Sequence, residues 1–567
     1  MKWLGRILLS LVIFILLLVV AIYLPPVQQW LKGLAEDYLS KETGMEVKIE
    51  RVRLSPWLDL EVDNMSAVDK GDTVVAAREL LLDIKLLPLF KGQVDLNGFE
   101  LREAKLNTKD FISDTHVEGQ FRLLKMDIPA VCDLKQKHID VNRVRLKGAD
   151  MRIVLSDTAA VDTTPSEPVE WRLALGELKV EDTKFDISLQ TKDNEQQAAG
   201  NSPPGILQEY MRLKGDVENL SLKQADINLK DDEYKAGEVT LQARDVSYDV
   251  PYEKPVKGLD THHLLLPELN LNARNFSYGK KGIDVNLHRL ALKEKSGLEL
   301  TNMSGALHYD STLVSLSNGR IETPNSQLDA DVQIGDDDRM TVKVKGDVGK
   351  KDIILLGGDA LGDLGKQLPD KPLNINMRAM GTMDDLDIDY CHLNIPGNME
   401  MRLSGRLNQI GSDRRRNGRL HYDVSLKDAS FLRRMMPKDL QSTLRIPNGT
   451  RIGGDVDFRG SLFNLNKNTI YSGKGSLSFT GKFDANSMAY NGRLTARQFP
   501  FQNFLPGSGL STMSGDFTIS GKGTDFLSSG TTLNIDANLG NFSYGGLPLD
   551  NIHLKAQFNG NNAEGTI

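Results

Sequence analysis

Cysteine is nearly absent, with Cys132 and Cys391 the only two in 567 residues. That excludes a disulfide framework and a cysteine-based zinc site, and the pair is expected as two isolated thiols. A basic excess is missing too. Lys and Arg number 69 against 77 Asp and Glu, a net charge of −8, so nothing in the balance equips the chain to grip nucleic acid. No G-x-S-x-G, H-E-x-x-H or C-x-x-C occurs. GSLSFTGK at 475–482 and GDFTISGK at 515–522 resemble phosphate loops, but each has five residues between its glycines where Walker A has four. Phe483 and Gly523 also stand where the magnesium-binding hydroxyl is needed, so both read as strands ending in turns. His262 and His263 lack a partner at metal-ligand spacing and read as a solvated pair. Asp385, Asp387 and Asp389 lack the glycine and distal glutamate of a calcium loop and read as the wet face of a strand. DRRR at 413–416 reads as a turn. No enzyme, metal or cofactor is expected.

Long apolar runs are missing as well, with one exception. Residues 7–24 are unbroken apolar or small, and as a helix they would be about 27 Å long, close to the ~30 Å of a hydrocarbon core. Ile7, Leu8, Leu9, Leu11, Val12, Ile13, Phe14, Ile15, Leu16, Leu17, Leu18, Val19, Val20 and Ile22 form its lipid-facing content. Lys2 and Arg6 precede the run, which places the N-terminus in the cytoplasm and the rest across the membrane. The run is longer than a usual signal-peptide core and ends in Tyr23-Leu24-Pro25-Pro26 without a small-x-small cleavage site, so a retained anchor over 1–27 is expected. Over 28–44, Trp30, Leu31, Leu34 and Tyr38 recur at helical spacing and Gly44 supplies a stop. This amphipathic helix either lies on a leaflet or groove mouth, or packs as a cap on the first strands.

From Met45 the period becomes 2. Leu58, Leu60 and Val62 alternate with Asp59, Glu61 and Asp63, and Phe185 and Ile187 with Asp186 and Ser188. Leu328, Ala330, Val332 and Ile334 alternate with Asp329, Asp331 and Gln333; Leu386, Ile388 and Tyr390 follow the same rule, as do Tyr422 and Val424, and Ile552 and Leu554. Such strands have one apolar and one polar face, the mark of antiparallel sheet, and Gly, Asn and Asp between them supply turns. Helical candidates are short, at 128–137, 359–368 and 430–436, so a βαβ enzyme fold is disfavoured. NFSYG recurs at 275–279 and 541–545, and NGRL at 417–420 and 491–494, each NGRL followed by a Phe, a Pro and a GD-containing strand. Repeated modules with uncovered apolar faces need neighbours, as in a stacked array. Roughly 25–30 strands at about 4.8 Å would extend on the order of 120–145 Å.

Behind the anchor and helix, TGMEVKIERVRLSPWLDLEVDNMSAVD at 43–69 and LLLDIKLLPLFKGQVDLNGFEL at 80–101 resemble the AsmA-like superfamily. LSTMSGDFTISGKGTDF at 510–526 and the stretch 534–567 resemble its TamB-type branch, the translocation and assembly modules of Bacteroidetes. The characteristic C-terminal domain of that branch is missing, so the sequence is expected to be the N-terminal portion of a longer protein. The resemblance implies a mainly β fold: an elongated, curled antiparallel sheet, a β-taco, with an N-terminal transmembrane helix and a few short helices. It organises the chain as the anchor, the amphipathic helix, an AsmA-like β region over 45–155, strands with polar loops over 156–205, and repeated β-groove modules over 206–567.

The implied function is a single-pass inner-membrane protein, its bulk periplasmic in a Gram-negative cell, bridging phospholipids between inner and outer membranes in support of outer-membrane biogenesis. Phospholipid acyl chains are then the partner, and Leu58, Leu60, Val62, Phe185, Ile187, Leu328, Val332, Ile334, Leu386, Ile388, Val424, Ile552 and Leu554 line the groove. Two alternatives stay open: a factor that assembles outer-membrane β-barrel proteins by strand templating, and an inert envelope spacer with a packed core.

Overall fold

The computed structural model describes residues 24–54, 59–85, 96–108, 115–128, 132–133, 138–157, 172–191, 208–256, 259–361, 364–436, 438–523, 530–540, 542–560 and 562–566. The chain is mainly β, 70% strand, with few helices. It divides into two compact units, Met1–Ser304 and Gly305–Ile567. The anchor residues 7–22 and the groove candidate Leu58 lie outside the described residues. Among the described residues no helix is long and apolar enough to cross a membrane.

The first unit opens with a helix, Pro25–Thr43, which contains Trp30, Leu31, Leu34 and Tyr38. Proline begins it, where a missing N–H costs nothing, and Gly44 ends it in the left-handed conformation (φ 70°), its N–H bonding to the Ser40 carbonyl at 3.0 Å. Ala35 and Leu39 pack on a cluster of Val47, Ile49, Val52, Val62 and Ala67, whereas Trp30 is 64% exposed. The helix therefore turns one side to the first strands and leaves its indole in solvent.

Strands Glu46–Leu54, Asp59–Asp69, Asp72–Ile84, Leu96–Asn107 and Thr115–Asp127 pair antiparallel in that order, and the last pairs antiparallel with His138–Asp157. The next step departs from the expected antiparallel sheet. His138–Asp157 and Arg172–Thr191 run parallel, from His138 opposite Arg172 to Asp157 opposite Thr191. Alternation has the same period in both pairings, so the sequence does not distinguish them. Antiparallel order then resumes through Gln208–Asn228, Glu233–Asp249, His263–Gly279 and Gly282–Lys293. The helix expected at 128–137 is not seen at its centre, where Cys132–Asp133 instead pairs as a short strand with Ile139 and His138.

In the second unit, strands from Leu313–Glu322 to Ile552–Asn559 follow one another as an antiparallel meander. Alternate connections in a meander fall at the same edge of the sheet, and here helices occupy every other connection along one edge. Lys350–Leu361 and Leu364–Gln367 follow strand Met340–Val348; Ser430–Met435 and Lys438–Thr443 follow Asn417–Leu426; Phe501–Phe504 follows Ala489–Pro500. The spacing is four strands. The two NGRL sequences thus begin equivalent parts of two modules, each a strand, a helical connection and a GD-bearing strand. The two NFSYG sequences are not equivalent. The first lies within strand His263–Gly279, whereas Phe542–Tyr544 forms a small hairpin with Leu547–Leu549.

Bulges interrupt the meander, several at a residue other than glycine in the left-handed region, including Asn318 (φ 51°), Lys467 (φ 51°) and Gln498 (φ 46°). Each inserts an extra residue and bends its strand. One corrects the expected alternation. A register shift between Ile388 and Cys391 keeps Leu386 and Ile388 on the apolar face and moves Tyr390 to the polar one, opposite Arg378.

Candidate functional site: an apolar sheet face

The pairing registers gather scattered apolar residues into rows that run across the strands. In the first unit one row reads Val52, Val62, Leu80, Leu101, Leu124, Leu146, Val180, Leu220, Leu241, Leu271 and Leu290, aliphatic at every one of eleven successive strands. Beside it runs Leu54, Leu60, Leu82, Phe99, Met126, Val144, Leu178, Leu222, Val239, Ala273 and Leu287. The candidates Leu60 and Val62 fall on these two rows. Phe185 sits opposite Met151, and Ile187 lies between Ile153 and Leu213.

The second unit has four such rows, counted here from the helix-bearing edge. The first runs Ile321, Leu328, Gly346, Ile375, Leu393, Met401, Val424, Ile452, Ile470, Leu477, Ala496, Gly515, Leu539, Ile552. It unites the candidates Leu328, Val424 and Ile552. The third row unites Val332 and Ile388, through Val342 and Ala379. Ile334 and Leu386 share the fourth, through Met340 and Gly381, and Leu554 lies on the second beside Ala537. Gly418, on the fourth row, faces a bulky neighbour. A Cβ at Gly418 would come within 2.7 Å of the Phe458 ring, so only glycine lets that ring lie flat across the strand pair.

Exposure decides what the rows are. A packed core buries its aliphatics almost completely, but Leu80 through Leu290 of the first row described are all half-buried. Leu60, Phe185, Ile187, Leu328, Val332, Leu386, Ile388, Val424, Ile552 and Leu554 are half-buried as well; Val62 is buried, and Ile334 is exposed. The face is apolar and still partly open.

The opposite face is polar and cross-linked by charge. Arg212 binds Asp186 with two bonds (Nε to Oδ1 2.8 Å, Nη2 to Oδ2 2.6 Å), Arg172 grips Asp226 at 2.6 Å, Arg406 donates to Asp387 at 2.6 Å and Arg419 to Asp457 at 2.5 Å. The Arg212 guanidinium holds the Asp186 carboxyl below the usual carboxylate range. The acidic row foreseen as a wet face is such a set: Asp387 pairs with Arg406, Asp389 with Arg378 at 3.7 Å, and Asp385 accepts the Gln409 N–H at 3.0 Å. His263 differs from the solvated pair expected. Its Nδ1 lies 3.0 Å from Oδ2 of Asp260, itself only 8% exposed and tied to the Val256 and His262 N–H groups.

Sequence reasoning missed three features of the apolar face. Asn468 is fully buried on the second row, accepting a 2.7 Å bond from the Tyr422 hydroxyl and donating to the Asp455 and Asn466 carbonyls. Burial also raises the Tyr422 phenol. Cys391 lies on that row between Met377 and Leu403, and burial pushes its thiol up. Third, Phe501 and Phe504 fold onto Leu477, Ala496 and Phe499. The aromatic cluster QFPFQNF at 498–504 was the available signal for that contact.

Among the described residues, no group of three or more His, Cys, Asp or Glu side chains is placed to hold a metal ion. Set against family models, curated proteins and solved structures, the chain matches none.

Proposed function

We propose that the protein is a membrane-anchored envelope protein whose apolar sheet face carries phospholipid acyl chains between inner and outer membranes. The observation behind this reading is the largely half-buried apolar row, aliphatic at eleven successive strands in the first unit and interrupted only by Gly346 and Gly515 across fourteen in the second. Water on such a face is unfavourable by roughly 25 cal/mol per Å² of apolar surface. Acyl chains relieve that cost without needing directional contacts, so they can slide from strand to strand. The polar face, held by cross-strand ion pairs, would face the aqueous periplasm and keep the groove curled around its cargo. The apolar run at 7–24 would root the groove in the inner membrane, and the likeness to AsmA-like and TamB-type sequences agrees with this role.

The test places a charge on the third row. Val332→Glu and Ile388→Glu each put a carboxylate in the path of the chains, at a cost on the order of a few kcal/mol unless it is hydrated or protonated. Asp331 is an unsuitable control, because its carboxylate accepts the N–H of the bulge residue Asn318 at 2.8 Å. Gln333→Lys, exposed on the polar face one residue away, is the proper one. Expected are normal abundance of all three variants, with lipid copurification and outer-membrane integrity lost only for the two glutamates. Folded glutamate variants with full lipid content and an intact envelope would remove the lipid reading.

A further inference from the structure

The rows of the second unit are not equally open. Phe501 and Phe504, from the short helix Phe501–Phe504 at the helix-bearing edge, lean over the first two rows. Phe504 stacks on Phe499 with centroids 4.8 Å apart, Phe501 meets Phe499 edge-on at 5.0 Å, and Phe501 reaches Phe517 of the second row at 6.2 Å. Phe501, Leu510 and, from the neighbouring hairpin, Phe542 also pack on the buried Met513, Ala537 and Leu539, the same three residues against which Ile552 and Leu554 pack. Two residues proposed to touch lipid, Ile552 and Leu554, therefore share that buried cluster with the aromatic rings.

The cover is lightly fastened. Its helix is a single turn with no side-chain cap at Pro500, and its ties include the Arg445 N–H to the Phe504 carbonyl at 2.8 Å and the Gln502 amide to the Thr512 hydroxyl at 3.0 Å. Gly507 (φ 85°), between this helix and strand Thr512–Lys522, has nothing within 4 Å of where a Cβ would stand, while the hairpin is tied by the Gly545 N–H to the Gly509 carbonyl at 3.0 Å and the Ser543 N–H to Ser511 Oγ at 2.7 Å. A left-handed glycine in open space is a position where the chain can change direction without a clash. A ring lifted from an apolar row loses contacts that an incoming acyl chain replaces in kind, so the exchange is nearly balanced. A balanced exchange is what a lid requires.

We propose that the Phe501–Phe504 segment and the Phe542–Leu549 hairpin form an acyl-displaceable lid over the first two rows, closing the lipid path there when no chain is present. This rests on the reading of the face as an acyl-chain path, and the experiment separates the two. In the full chain with Cys132→Ser and Cys391→Ser, Gln502→Cys and Thr512→Cys are bridged by a short bis-methanethiosulfonate reagent, whose mixed disulfides lock the lid and are released under reduction. A photoreactive benzoyl-phenylalanine replaces Leu554, under the lid, or Ile388, on the uncovered third row, and crosslinking to phospholipid is read by mass spectrometry. Closure is checked by the loss of free thiols, and Phe501→Ala with Phe504→Ala supplies a lid-less form that needs no disulfide. Expected are crosslinks at Ile388 in every form, at Leu554 only under reduction, and more at Leu554 in the lid-less form. Equal crosslinking at Leu554 in locked, free and lid-less forms, with Ile388 still labelled, would overturn the lid and leave the path. Absence of lipid at both positions would overturn the path and the lid together.

Discussion

Asp186 carries the clearest consequence at the scale of single residues. Its carboxylate is held by two bonds from Arg212 across a strand pair and sits below the ordinary carboxylate range. A group depressed in the folded state binds protons more readily when the chain unfolds. Its stabilisation is therefore complete above the unfolded value and is lost as pH falls through the depressed folded one. Asp186→Asn should lower the urea midpoint at neutral pH and make little difference in acid below the depressed native value, where the folded carboxyl is protonated as well. An equal drop at both pH values would mean that the pair contributes packing rather than charge. Asn468 shows the opposite economy on the apolar face: fully buried, it escapes a desolvation penalty because each of its polar atoms has a partner.

At the scale of elements, the first strand, Glu46–Leu54, pairs among the described residues on one side, with Asp59–Asp69. An unpaired edge invites other chains. Here the opening helix answers it: Glu36 Oε1 accepts the Ile49 N–H at 2.7 Å and Ser40 Oγ the Val47 N–H at 3.0 Å. Glu36→Ala with Ser40→Ala should destabilise this end by about 1–3 kcal/mol and promote self-association through the freed strand. Hydrogen exchange at the Val47 and Ile49 amides, with sedimentation analysis, checks both effects; slow exchange and an unchanged oligomeric state would show that the helix guards nothing. Strands and their apolar faces were legible because alternation survives in sequence even where bulges shift it. What one residue too many does to the far half of a strand was not legible, and Tyr390 was misplaced for that reason. Nor were the register that joins Val52 to Leu290 and the parallel step, since both depend on which strand meets which. The aromatic lid escaped notice because a four-residue helix has no period to read.

At the scale of the whole molecule, the apolar run and the apolar sheet face can be tested separately. The run at 7–24, preceded by Lys2 and Arg6, should keep the chain integral, so alkaline carbonate should leave full-length protein in the membrane pellet. Recovery in the supernatant of a chain lacking the residues before Val27 would mean a cleaved leader instead. The residues proposed to touch lipid were legible as alternating positions but not as rows. Leu328, Val424 and Ile552 are far apart in the chain, and only the accumulated register places them on one line.

The parallel step in the first unit resets the parity of the sheet. His138–Asp157 and Arg172–Thr191 end at the same edge, where neighbouring strands of a meander end at opposite ones. Each strand from Gln208–Asn228 to Gly282–Lys293 therefore runs opposite to the direction an uninterrupted meander would give it, and its turns change edges. The aliphatic row is indifferent to the reversal: it passes from Leu146 to Val180 and on to Leu220 on the same face.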